Sequence, residues 1–103
     1  MTNRVLMRLA ELVDRKPVKV EIDGQPVCVA LVDGQVFAVG DICSHANVSL
    51  SEGEIDGHDI ECWLHGSRFN LRTGTPDSPP AVVAIPTYSV TMVDDLAVIE
   101  GKK

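Results

Sequence analysis

Apolar and polar residues alternate in short runs along most of the chain. Val18, Val20 and Ile22 form one run, Val27, Val29 and Leu31 a second, and Val36 and Ala38 a third. Val90 with Met92 and Leu96 with Val98 make two more near the C-terminus. A period of two places one face on a core and the other in water, which predicts half-buried strands. Asp23/Gly24, Asp33/Gly34 and Asp56/Gly57 punctuate the runs and supply the positive φ that two-residue hairpins need. The chain therefore reads as a string of antiparallel hairpins. Residues 9–14, "LAELVD", could form a short helical turn and carry no chemistry. Cys28 falls on the strand face opposite Val27, Val29 and Leu31, together with Ala30, and reads as a small packing residue.

Residues 41–80 break this pattern. They hold fewer long runs and half of the Gly and Pro, and end in "TGTPDSPPA", after which strand pairs resume at "YSVTMVDDLAVIE". No repeat or linker separates the segment from its flanks. With 103 residues in total, an insertion within one β domain is expected rather than a second domain. A domain of this size builds a modest core, so hard chemistry is expected from a bound cofactor.

The formal net charge of −6 disfavours nucleic acid and anionic membrane surfaces as partners and favours a basic protein. Charges at Arg4, Arg8, Glu11 and Asp14 interrupt any signal-peptide core, and no run approaches the roughly 20 apolar residues of a membrane helix. A cytoplasmic protein is expected. In that compartment thiols stay reduced, and an odd count of three Cys argues against a disulfide framework.

Two of those cysteines sit beside histidines inside the 41–80 segment. Cys43 and His45 form Cys-x-His, and after sixteen residues Cys62 and His65 form Cys-x-x-His. Thiolate and imidazole bind borderline and soft metals strongly, and ligands so close in sequence can share one centre with little loop strain. A four-ligand site follows; zinc and iron–sulfur both accept these ligands. His58 has no cysteine neighbour in its own hairpin and reads as an exposed turn residue. Glu52, Glu54, Asp56, Asp59 and Glu61 lie between the two ligand stretches with no Lys or Arg among them. They are either a solvated hairpin face or a docking surface.

The spacing, with the flanks "CSHANVSLSEG" and "CWLHGS", resembles the Rieske [2Fe-2S] motif. The resemblance extends over nearly the whole chain, through "GQVFAVGDIC", "FNLRTGT" and the loop at Pro79 and Pro80, and is closest to soluble ferredoxins serving ring-hydroxylating dioxygenases. It implies an all-β Rieske domain over 1–103: an antiparallel β base from both chain ends, with a cluster-binding subdomain inserted at about 41–80. It also implies one [2Fe-2S] cluster per chain, with Cys43 and Cys62 on an inner iron and His45 and His65 on an outer iron. Two thiolates and two neutral imidazoles leave the oxidised centre formally neutral, where four thiolates would leave −2, so the potential is higher than in all-cysteine clusters.

The family resemblance also assigns tuning positions. Ser67 retains a hydroxyl that other Rieske proteins place against sulfur, whereas the matching tyrosine position is Phe69. The disulfide that joins the two loops in respiratory and photosynthetic members has Val48 and Leu64 at its positions. Trp63 and Leu64 pack, keep water from the cluster, or do both; Pro79 and Pro80 are either plain loop punctuation or, as the resemblance implies, a rigid covering loop. The implied function is one-electron transfer from a reductase to a terminal oxygenase or another redox protein with a basic docking surface, by a monomer that is not itself an enzyme. An accessory subunit of a larger oxidoreductase and a structural zinc module are the alternatives.

With Phe69 lacking a hydroxyl and no disulfide at Val48 and Leu64, the midpoint potential is expected near the bottom of the Rieske range, about −150 mV. Phe69→Tyr should raise it by roughly 40 mV, since one added donor to sulfur is worth about 1 kcal/mol. Protein-film voltammetry of both proteins checks this; a strongly positive wild-type midpoint contradicts it.

Overall fold

The computed structural model describes residues 4–44, 48–64, 66–77 and 83–102. Among them nine strands form three antiparallel three-stranded sheets. The first sheet joins the chain ends: β1 (Arg4–Arg8) pairs with β9 (Leu96–Lys102), which pairs with β8 (Tyr88–Val93). The second is the meander β2 (Val18–Ile22), β3 (Gln25–Val32) and β4 (Gln35–Gly40). The third, β5 (Glu54–Asp56), β6 (Asp59–Glu61) and β7 (Arg68–Asn70), lies between β4 and β8 in sequence. The helical turn expected near residue 9 is a single 3-10 turn, Leu9–Glu11, directly after β1.

Turn chemistry fixes the second sheet. Asp23 and Gly24 have φ of 53° and 78°, Asp33 and Gly34 51° and 80°, so both hairpins use two left-handed residues. The third expected turn sits one residue later than its sequence suggests. Asp56 pairs with Asp59 inside the ladder, leaving Gly57 and His58 as the turn, with Gly57 alone at positive φ. The Arg68 guanidinium lies 3.0 Å from the Asp56 carboxylate across the same sheet.

Two apolar cores share one wall. Leu12, Ile22, Val27, Val29, Val36, Ala38, Tyr88, Ala97 and Ile99 form the base core between the first two sheets. Cys28, Ala30, Val32 and Val39 face the other way, into a second core with Cys43, Leu50, Ile60, Cys62, Phe69, Leu71 and Ile85. Alternation along β3 and β4 thus feeds two cores, and residues 27–30 are all fully buried where half-burial was expected. Cys28 is a packing residue as expected, in the second core. On β9 the expected inward face is one residue out of phase. Ala97 and Ile99 are buried while Leu96 and Val98 stay half-buried on the outer side, because Ile99 and Ala97 pair with Val5 and Met7 of β1 and with Val90 and Met92 of β8.

Candidate metal centre

Two loops leave the second core side by side. The first follows β4: Ile42 bridges to Ser49, and the Cys43 N–H donates to the Val48 carbonyl at 3.0 Å, so the loop closes at its neck directly after Cys43. The second joins β6 to β7. The Cys62 N–H donates to the Ser67 carbonyl at 2.7 Å and the Gly66 N–H to the Cys62 carbonyl at 3.0 Å. That tight turn needs Gly66, whose φ is 76°. Cys43 and Cys62 each stand at the first position of their loop, where regular pairing ends.

Both thiols are buried, at 3% and 0% exposure, both are free of disulfides, and both belong to the same core cluster. The third thiol, Cys28, sits fully buried in that core on β3, where burial first and the charge of Asp41 second push its pKa far up, holding it as a thiol. Two unlinked thiols from separate loops, converging in a water-poor core, fit an iron–sulfur centre. Among the described residues no group of three or more His, Cys, Asp or Glu is assembled; His45 and His65 lie outside them.

The surroundings divide the remaining expected site residues. Ser67 is fully buried beside Cys62, and Phe69 is fully buried in the same core as both cysteines. Trp63 and Leu64 are 52% and 41% exposed, so they line the rim of the second loop and do not pack in the core. Next to the first loop, Ile42 and Val83 are also exposed, at 40% and 60%, and the Ser44 hydroxyl donates to the Val83 carbonyl. Pro79 and Pro80 lie outside the described residues. Of the segment that carries them, Asp77 is tied by its N–H to the Arg68 carbonyl at 2.6 Å and Val83 to Ser44.

Sequence reasoning missed two charged residues. Arg68 comes from the strand after the second loop and bridges Asp56 at 3.0 Å and Glu61 at 3.3 Å, so the acidic hairpin is partly neutralised. The ladder aligns Glu54, Glu61 and Arg68 across the sheet, a neighbour relation that no linear spacing displays. Asp41, fully buried two residues before Cys43, was the second. His58 is half-buried, its ring edge-on to Phe37 with centroids 5.9 Å apart and its Nε2 3.1 Å from the Arg72 guanidinium, which corrects the expectation of an exposed turn residue.

A family model described as the Rieske [2Fe-2S] domain matches residues 3–89. The chain belongs to the Rieske [2Fe-2S] family. It is 32% identical over 105 residues to Ferredoxin CarAc of Metapseudomonas resinovorans, covering 98% of each chain. Its structure is similar to the ferredoxin of carbazole 1,9a-dioxygenase from Nocardioides aromaticivorans IC177, with a TM-score of 0.91 at 30% identity over 96% of this chain and 98% of that one. It is also similar to a chain in the complex of reduced oxygenase and oxidized ferredoxin in carbazole 1,9a-dioxygenase, with a TM-score of 0.92 at 31% identity over 100% and 97%. The chain is thus an all-β Rieske ferredoxin, a one-electron carrier with a [2Fe-2S] cluster rather than an enzyme. This decides between zinc and iron–sulfur, which the ligand types alone left open. No helix among the described residues is long and apolar enough to cross a membrane.

The acidic sheet face carries a pH dependence of its own. Burial, then a hydrogen bond and charge from Asp77, push the Asp59 carboxyl up from 3.8 to about 6; Arg68 opposes the shift and Asp56 adds to it. A carboxyl whose folded pKa exceeds its unfolded value stabilises the fold while protonated. Its contribution is complete below about 3.8, fades as pH rises through about 6, and is absent at neutral pH. Asp59→Asn should therefore raise the unfolding temperature at pH 7 and flatten its pH dependence between about 4 and 6. The gain should stay under about 1 kcal/mol because solvent screens the pair. Thermal unfolding followed by circular dichroism at several pH values checks this; a lower unfolding temperature for the variant at pH 7 contradicts it.

Proposed function

We propose that Cys43 and Cys62 hold the inner iron and His45 and His65 the outer iron of the cluster. The observation that carries this reading is the convergence of two buried, unlinked thiols from separate loops in one core, each followed by a histidine two or three residues on. The bound cluster supplies a one-electron couple. Around it the chain's own residues hold the thiols in a core, close both loops with backbone hydrogen bonds and present Trp63 and Leu64 on the second loop as apolar cover that sheds water. Ser67 and the loop at Pro79 and Pro80 are the tuning and covering elements. Residues 1–103 form a single domain, with the cluster-binding subdomain at about 41–80, and the protein works as a cytoplasmic monomer.

The partners follow from the same face. Electrons come from a reductase and pass to a terminal oxygenase or another redox protein; the similar structure of a reduced oxygenase with an oxidized ferredoxin supports the second half of this route. A carrier that must bind briefly favours a small interface steered by charge. Glu52 and Glu54 are exposed and stand outside the ion pairs of Arg68, so they are the acids that attract a basic docking surface.

Iron and acid-labile sulfide analysis tests the ligand reading. Two irons and two sulfides per chain are expected in wild type and in Cys28→Ala, and none in Cys43→Ser or Cys62→Ser; an intact cluster in either serine variant contradicts it. Stopped-flow reduction by the cognate reductase tests the docking reading. Reversing the charge at Glu52 and Glu54 should slow association several-fold at low salt, with the spectrum unchanged, and the difference should shrink above about 0.1 M salt, where the Debye length is about 10 Å. Equal rates at low salt would remove these acids from the docking face.

A further inference from the structure

Asp41 is the one fully buried ionisable acid among the described residues, and it stands two positions before Cys43. Its Oδ2 accepts a hydrogen bond from the Ser49 hydroxyl and its Oδ1 accepts one from the Ser51 N–H at 2.8 Å. Ser49 and Ser51 are themselves linked, Oγ to Oγ, at 2.8 Å. The Asp41 backbone reaches both ways: its N–H donates to the Pro26 carbonyl on β3 at 3.1 Å, and its carbonyl accepts from the Leu50 N–H at 2.5 Å. The side chain thus ties the outgoing and returning limbs of the first ligand loop to each other, while the backbone ties both to the shared wall.

Hydrogen bonding alone does not call for an acid. A neutral amide could span the same partners, its oxygen accepting from the Ser51 N–H and its NH2 donating to the Ser49 Oγ, and burying a carboxylate carries a desolvation cost that a neutral side chain avoids. What the acid adds is a fixed charge in a poorly polarisable core, where charges interact far more strongly than in water. That field reaches the core which holds the ligand thiols, since it adds to the upward push on the Cys28 thiol.

We infer that Asp41 is a positioning residue for the first ligand loop and a fixed negative charge that lowers the reduction potential of the cluster held there. Adding an electron near a buried carboxylate is disfavoured, and cluster potentials follow local charge and hydrogen bonding. The inference rests on Cys43 being a ligand.

Asp41→Asn keeps an acceptor oxygen and removes the charge; Ser49→Ala keeps the charge and removes one donor that damps it. Voltammetric midpoints, with visible circular dichroism as a check on cluster geometry, should move in opposite directions. Asp41→Asn should shift the reduction equilibrium about tenfold toward the reduced state, about 59 mV upward for one electron. Ser49→Ala should shift it a few-fold the other way. A loop merely loosened by substitution would move both variants the same way, and that result overturns the inference, as does an Asp41→Asn midpoint at or below wild type. If Asp41→Asn assembles no cluster, Ser49→Ala decides alone: a lower midpoint supports the inference and an unchanged or higher one overturns it. Failure of the ligand reading would show separately, as a cluster retained in Cys43→Ser.

Discussion

The structure depends on strands β3 and β4 being buried on both faces. Each residue of Val27–Ala30 packs into one core or the other, so the same two strands close the base and floor the third sheet. A protein interior packs as densely as an organic crystal, and a wall held from both sides has little freedom to shift. Cys43 follows that wall by three residues, and Cys62 belongs to the same core through Ile60 and Phe69. The spacing of the two thiols is thereby set by the best-packed part of the molecule, although both residues are in loops.

Charge is organised around this platform in layers. Asp41 lies under the loop that carries Cys43, fully buried and hydrogen-bonded. Farther out, Arg68 ties Asp56 to Glu61 across the third sheet, and Asp59 shares its surroundings with Asp77. The exposed Glu52 and Glu54 form the outermost layer. Inner charge acts at short range in a weakly polarisable medium, where the proposed tuning of an added electron takes place, while outer charge acts through screened water, where the proposed docking encounter begins. The two roles proposed for this acidic composition are thus divided by burial.

The sequence made the local features legible and hid those that depend on cross-strand neighbours. Asp-Gly turns and period-two runs predicted the β2–β4 meander, and the cysteine–histidine spacing singled out Cys43 and Cys62, because each signal lies within a few residues of chain. The Asp56/Gly57 turn came out one residue late, because the β5–β6 ladder runs on through Asp56 and Asp59, and the Leu96/Val98 face one residue out of phase, because pairing with β1 and β8 outweighed local preference. Double burial of β3 was readable only as the placement of Cys28 and Ala30 on the second face; that this face meets a second core is a fact of topology. Arg68 and Asp41 went unseen for the same reason, their partners lying 7 to 12 and 8 to 10 residues away along the chain.

Electron carriage here rests on the proposed mixed ligand set, two thiolates from this core and two imidazoles from His45 and His65. Pulsed electron paramagnetic resonance on the dithionite-reduced protein, with and without 15N-histidine labelling, tests it most directly. Two strongly coupled nitrogens, both shifted by the label, are predicted. A spectrum with no strongly coupled histidine nitrogen, or with only one, would contradict the account.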